Sequence, residues 1–215
     1  MWQKVLEYFQ KDMGTYLQAI GEHMTISLLS LLAAAVIGIP FGILSTKNKA
    51  WYGWVTTVFN TFRVVPSLAV LILLIPIMGT GIKPAMVALM FLGIPPILLN
   101  TATAFKSIPE FMIETSMAMG MSKAQGFWKV KVPLAAPLIL TGVKTAMVEI
   151  IASATLAAYI GGGGVGNIIF TGLGLNRADL LLIGGITVAI LSLLANVMMS
   201  GLGKYLLRYK YVTST

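Results

Sequence analysis

The sequence predicts an all-α, polytopic membrane protein with five transmembrane helices, and three observations carry that prediction. Of 215 residues, 57% are hydrophobic and only 10% are charged, whereas soluble domains carry about a quarter charged residues. Too little polar surface remains to face water around one core, and a bilayer removes that difficulty. The apolar residues also fall into long uncharged runs, each close to the roughly 20 residues that a spanning helix needs. Finally, Lys and Arg gather in alternate connections between those runs, as membrane orientation requires. The formal net charge of +8 therefore reads as orientation in a bilayer and not as a nucleic-acid surface. The chain has no cysteine, which excludes disulfides and thiolate metal sites.

Taken in order, residues 1–23 mix polar and apolar side chains (Trp2, Val5, Leu6, Phe9) and read as a short interfacial helix. They lack the basic start, apolar core and small-residue cleavage site of a signal peptide. The first apolar run covers 24–44. The second covers 64–82, with 51–62 lying at the interface before it. The third covers 84–105. The fourth runs from near Pro133 to about Ile160, interrupted by Lys144 and Glu149, and the fifth covers 180–203. Lys47 and Lys49, then Lys106, Lys123, Lys129 and Lys131, then Lys204, Arg208 and Lys210 fall on one side if five helices alternate. On the other side Lys4, Lys11, Lys83 and Arg177 are offset by Glu7, Asp12, Glu22 and Asp179. The positive-inside rule makes the first side cytoplasmic, with the N-terminus outside and the C-terminus inside.

The connection 106–132 carries its own helix signals. Ser107-Ile108-Pro109-Glu110 reads as a capping box opening a helix through about Met119. Gly120 suits the left-handed turn that ends a helix, and Ser122-Lys123-Ala124-Gln125 reads as a second capping box. Pro133 closes the segment. The apolar contacts are Phe111, Met112, Met117, Met119, Phe127 and Trp128. Periodicity alone leaves two readings open: an amphipathic hairpin on the lipid surface or a docking element.

Within this connection Glu114-Thr115-Ser116 is followed after three residues by Gly120, and after nine more by Val130-Lys131-Val132-Pro133. That spacing resembles the cytoplasmic motif of ABC importer permeases: Glu-Ala-Ala, three residues, Gly, nine residues, Ile, one residue, Leu-Pro. Thr115 and Ser116 stand for two alanines, and valines stand for Ile and Leu. Arg63 to Val70, Pro95 to Thr101 and Ala154 to Gly166 further resemble permeases for glycine betaine, carnitine and choline. Permeases for methionine and other small solutes share the fold and the motif. The resemblance implies a type I permease fold, with domain 24–205, a coupling segment 107–132 and a cytoplasmic tail 206–215. It implies a permease subunit that moves an osmoprotectant inward by alternating access. The implied partners are ATP-binding cassette subunits, an extracellular solute-binding protein and a second, identical or related permease. ATP and Mg belong to the partner ATPase, and this chain holds no cofactor. The ATPase would meet Glu114, Thr115, Ser116, Gly120, Phe127, Trp128 and Pro133.

Several residues bear on a translocation path. Glu149 lies well inside the fourth run, where a carboxylate is costly and is functional or paired. It is read either as lining the central cavity, where it suits a cationic quaternary ammonium, or as protonated or bonded between helices. Lys144 snorkels toward the cytoplasm in this reading. Pro66, Pro76, Pro95 and Pro96 bend their helices, either around a path or merely tolerated. Pro66, Ser67, Asn100, Glu149 and Thr155 form the candidate path, with Asn100 bonding between helices and Arg63 as an interfacial anchor. The run Gly161-Gly162-Gly163-Gly164-Val165-Gly166 lacks the Lys-Ser/Thr of a nucleotide loop. It reads as an outer gate (Gly161, Gly162, Gly163, Gly164) or a plain connector. His23 is the only histidine, placed at an interface, so a metal site is not expected. No aromatic cluster stands out within the spans, which assigns high-affinity recognition to a separate binding protein. An autonomous channel or secondary carrier would show inverted repeats or paired broken helices, and no second half matches the first. An intramembrane enzyme needs a constellation of His, Asp, Ser or Glu that the sequence does not supply.

Overall fold

The computed structural model describes residues 2–208. Lys210 and the rest of the tail beyond Arg208 lie outside the described residues. Helix α1 (Trp2–Lys11) is amphipathic, and its Tyr8 and Phe9 pack edge-on against Tyr16. Helix α2 (Met13–Ser45) starts eleven residues before the predicted span at Met24. Its extra turns are held by tertiary contact: the Tyr16 hydroxyl bonds Thr187 Oγ1 at 2.8 Å, and His23 is buried.

After a short turn, α3 (Lys49–Phe62) is capped by Asn48, whose side chain accepts from the Ala50 amide. Helix α4 (Ser67–Met78) then leaves at 93° to α3. Pro66 is the reason. It lacks the amide hydrogen that would continue α3, and it restricts Val65 to extended backbone. Pro66 thus sits at the N-cap of α4 and breaks the chain instead of bending a helix. With 12 residues, α4 is about 18 Å long at 1.5 Å per residue, short of the roughly 30 Å hydrocarbon core. Helices α3 and α4 together form a bent pair that passes as one apolar stretch. Four other stretches (Met13–Ser45, Ile82–Lys106, Lys123–Ile160 and Ala178–Leu206) are long and apolar enough to span singly, so the described residues hold four crossings, or five with the bent pair counted as one.

Helix α5 (Ile82–Lys106) is the central element. Pro95 and Pro96 lie inside it, both buried. Helices α6 (Glu110–Ala118) and α7 (Lys123–Gly126) follow. A single π turn (Phe127–Lys131) then joins α7 to α8 (Val132–Ala157). Pro133 does not separate α7 from the next span, because 123–160 runs as one 38-residue helical stretch. The π turn explains this: the Val132 amide reaches back to the Phe127 carbonyl, and the altered register accommodates a residue with no amide hydrogen. A 3₁₀ turn (Ala158–Ile160) ends α8. Helix α9 (Gly166–Gly174) and helix α10 (Ala178–Leu206) complete the chain. Helix α9 stands in the connection between the fourth and fifth apolar runs.

The core lies where α2, α5 and α8 meet, with Ala34, Ala88, Leu89, Ile97, Leu98, Ala146 and Ile150 fully buried. Glycines let these backbones approach. A Cβ on Gly42 would meet Thr101 Cβ at 2.7 Å, and one on Gly142 would meet Asn100 Cβ at 2.7 Å and the Pro96 carbonyl at 2.8 Å. Lipid removes most of the hydrophobic drive between helices, so close packing through small residues must hold them together.

Candidate functional site

At the end of the bundle that carries Lys47, Lys49 and Lys106, α6 and α7 form a helical hairpin. Its turn is a full Schellman motif. The Gly120 amide donates to the Met117 carbonyl, the Met121 amide donates to the Ser116 carbonyl, and Gly120 has φ +79°. A reciprocal capping box then opens α7, with the Gln125 amide donating to Ser122 Oγ and the Ser122 amide donating to Gln125 Oε1. The first expected capping box does not form. The Ser107 hydroxyl turns back to the Ala104 carbonyl at 3.0 Å, and Pro109, which has no side-chain acceptor, occupies the N-cap of α6. Ser107 ends α5 instead, since the chain needs two more residues to turn into α6.

Ser116 is buried against the close approach of Gly126, while Glu114 and Thr115 face outward. Phe127 stacks on Phe105 at the foot of α5 and touches Trp128 edge-on. Phe111, Met117, Met119 and Trp128 are left largely exposed. Pro133 lines a shallow crevice with Phe111, Met112, Met119 and Met121. The hairpin thus presents apolar side chains and a sharply turned backbone on one surface.

The second feature is a cavity of about 560 Å³ between α4, α5 and α8. Phe62, Val65, Ser67, Leu74, Phe91, Pro95, Glu149 and Ser153 are among its walls. Arg63 Nη2 donates to Glu149 Oε1 at 3.2 Å, with the two side chains 44% and 40% exposed. Arg63 is therefore more than an interfacial anchor, and Glu149 has a fixed cationic partner. The 93° break delivers it, since Arg63 lies in the α3–α4 turn beside α8. Toward the hairpin end, a polar crevice of about 380 Å³ is lined by Tyr52, Thr56, Asn60, Asn100 and Thr103, with Arg63 as a shared wall.

The structure brings Ser67 and Glu149 to one cavity and Asn100 to the neighbouring crevice. Asn100 does not bond across helices; its Nδ2 donates to Pro96 O within α5 at 2.8 Å. Thr155 Oγ1 bonds Ala152 O within α8 and lines neither space. Lys144 Nζ donates to Ser200 Oγ at 2.8 Å, so it turns onto α10 and does not snorkel.

At the opposite end, Gly161, Gly163 and Gly164 take positive φ between α8 and α9. The loop is tied down. The Gly164 amide donates to Glu22 Oε2 at 3.1 Å, and the Gly81 amide donates to Ile160 O at 2.7 Å. His23 is 1% exposed, with Nε2 3.0 Å from Ile151 O; it is a packed residue within the bundle, not one at an interface. Sequence reasoning gave Arg63 only as an anchor and Glu22 only as a charge, and it missed the two cavity rings Phe62 and Phe91. Glu22-His23 beside a long apolar run was a usable signal; nothing in the sequence placed Phe62 near Phe91.

The description "binding-protein-dependent transport system inner membrane component" belongs to a family whose pattern matches residues 38–208. The choline transport system permease protein OpuBB of Bacillus subtilis is 36% identical over 189 residues, covering 88% of this chain and 87% of that protein. The glycine betaine/carnitine/choline transport system permease protein OpuCB of the same organism is 36% identical over 191 residues, covering 89% and 88%. In structure, the chain resembles a chain of the MetNI methionine ABC transporter in an inward-facing conformation, with TM-score 0.77 and 24% identity over 92% of this chain and 96% of that one. That likeness concerns the fold. The family match over most of the chain and these relatives, named as transport permeases, give the identity: the chain belongs to the family of inner-membrane components of binding-protein-dependent transport systems and is a permease subunit of an ABC importer, a transport component rather than an enzyme.

Proposed function

We propose that this chain moves an osmoprotectant such as glycine betaine, carnitine or choline into the cell. The observation that carries the reading is the 36% identity, over nearly nine-tenths of both chains, to permeases named for those solutes. The cavity between α4, α5 and α8 supports it: it combines a carboxylate, a guanidinium, two hydroxyls and aromatic walls. Residues 107–132 form the ATPase-docking segment, with Glu114, Thr115, Ser116, Gly120, Phe127, Trp128 and Pro133 at or behind the contact. The exposed apolar surface of the α6–α7 hairpin is suited to a groove in a soluble partner. The N-terminus lies outside and the C-terminus lies in the cytoplasm, on the lysine distribution.

ATP and Mg act on partner ATPase subunits. As those subunits close, they carry the hairpin with them, and the π-joined α7–α8 stretch transmits that displacement to the wall holding Glu149. A second permease completes the path, because five crossings are few to enclose one. An extracellular binding protein delivers the solute, and the glycine loop at 161–164 gates the outer end.

The test is copurification of the tagged chain in mild detergent, followed by uptake in proteoliposomes. An ATPase and a solute-binding protein should accompany the wild-type chain, and ATP should drive accumulation of at least one of glycine betaine, carnitine and choline. Uptake by the chain alone, without an ATPase, would show an autonomous carrier instead. Accumulation of methionine in place of the three solutes would reassign the substrate. Since the chain has no cysteine, Lys129→Cys and Lys83→Cys each create a unique thiol. Labelling of Lys83→Cys but not Lys129→Cys by an impermeant reagent on intact cells is the outcome this topology requires.

A further inference from the structure

We infer that Arg63 and Glu149 form an exchange site for a zwitterionic solute, one carrying both a quaternary ammonium and a carboxylate. This rests on the osmoprotectant reading and names the charge type that the permease itself selects. The pair ties the α3–α4 turn to α8 across 3.2 Å. It stands where the cavity meets the polar crevice, because Arg63 lines both. A solute in either space therefore lies within reach of the Arg63 guanidinium, and one in the cavity also faces Glu149.

Charge bookkeeping then decides which solutes pass. A side-chain charge at membrane depth is costly unless it is compensated. With no solute present, Arg63 and Glu149 compensate each other. A simple cation that takes Glu149 leaves the guanidinium without its counter-charge. A zwitterion replaces both partners together. Its carboxylate accepts from the Arg63 guanidinium, whose planar fork suits a carboxylate, and its ammonium lies against Glu149. The solute leaves on the crevice side when Arg63 and Glu149 pair again.

The rest of the lining fits such a solute. A trimethylammonium group donates no hydrogen bond, so it is recognised by charge, ring faces and apolar contact. Phe62 and Phe91 provide rings, and Val65 and Leu74 provide apolar contact. The volume of about 560 Å³ lies within the roughly 300–1,000 Å³ of small-molecule sites.

The experiment uses the permease–ATPase assembly in proteoliposomes with its binding protein, and compares glycine betaine (zwitterion) with choline (cation). Equilibrium binding of labelled glycine betaine to the assembly without its binding protein provides a second readout. Arg63→Gln should lower glycine betaine uptake and binding about tenfold, the loss of one charge-assisted hydrogen bond, while choline uptake holds or rises because no guanidinium is left stranded. Glu149→Gln should lower uptake of both solutes. Arg63→Lys, which keeps the charge, should retain most of the wild-type preference. ATPase stimulation by the loaded binding protein should persist in all three variants, showing that they fold and couple. Equal losses for both solutes in Arg63→Gln would make the pair a structural tie and overturn the inference, as would no change in either. Wild-type assembly that carries neither solute would overturn the osmoprotectant reading and this inference with it. Wild-type assembly that carries solute with a preference insensitive to Arg63 would overturn the inference alone.

Discussion

The α6–α7 hairpin and the Arg63–Glu149 cavity are built by opposite means. Every bond that shapes the hairpin turn joins residues no more than five apart in sequence: Gly120 to Met117, Met121 to Ser116 and Ser122 with Gln125. The ion pair in the cavity joins residues 86 apart, and its walls come from α3, α4, α5 and α8. The hairpin is thus specified locally, whereas the cavity is assembled from distant elements, which on the proposed function is the division expected between a surface that fits a separate protein and a space that opens and closes.

The largest effect should come from breaking the hairpin at its turn. Proline cannot adopt the φ of +79° at Gly120, and it removes the amide that bonds Met117. Gly120→Pro should abolish copurification of the ATPase and ATP-driven uptake, with membrane abundance of the chain retained. Normal transport by that variant would remove the docking assignment.

A smaller but global effect is expected from Gly142→Val, which forces side-chain atoms against Asn100 and the Pro96 carbonyl. Overpacking of this kind costs about 1–3 kcal/mol, and because the contact is partly to backbone the upper end applies. The chain should show a lower thermal-unfolding midpoint in nanodiscs and weaker uptake, while the isolated hairpin turn stays intact to hydrogen exchange. If uptake fell with no change in the midpoint, the α5–α8 contact would have a role beyond packing.

Milder still is Ser122→Ala, which deletes one side of the capping box. Loss of an N-cap costs about 1 kcal/mol, so ATPase affinity should weaken by roughly fivefold, measured by titrating the ATPase onto the solubilised permease. Unchanged affinity would show that α7 is held by its π connection to α8 and not by its cap. The smallest effect belongs to the outer end. Glu22→Gln keeps an acceptor for the Gly164 amide but removes its charge, and charged acceptors are about twice as strong as neutral ones. Amide exchange at 161–166 should speed up by a few fold, with exchange in the α6–α7 hairpin unaffected. Equal acceleration at both ends would deny that the two regions are independent.

Much of this was legible from the sequence because lipid imposes it. Apolar runs, lysine placement, Gly120 and Ser122-Lys123-Ala124-Gln125 are signals over a few residues or over composition, and backbone hydrogen bonding within a bilayer leaves helices as the natural answer. Errors cluster where a local signal had two outcomes. Ser107 satisfied the pattern of a cap and ended α5 instead, and Pro66 satisfied the pattern of a kink and made a 93° break. Residues 13–23 carried enough polar side chains to look interfacial, yet Tyr16 and His23 find partners on α10 and α8.

The sequence by itself determined the membrane habit, the approximate apolar stretches, the turn at Gly120 and the family, since each rests on composition or on spacing within one helix turn or one loop. Only the tertiary structure decided that Arg63 meets Glu149, that Phe62 and Phe91 share their cavity, and that Glu22 holds the glycine loop. Those contacts depend on which faces of distant helices meet. Here glycine-mediated backbone approach among α2, α5 and α8, together with the direction of the chain after Pro66, sets those faces, and no pattern along the chain encodes the meeting of two remote side chains.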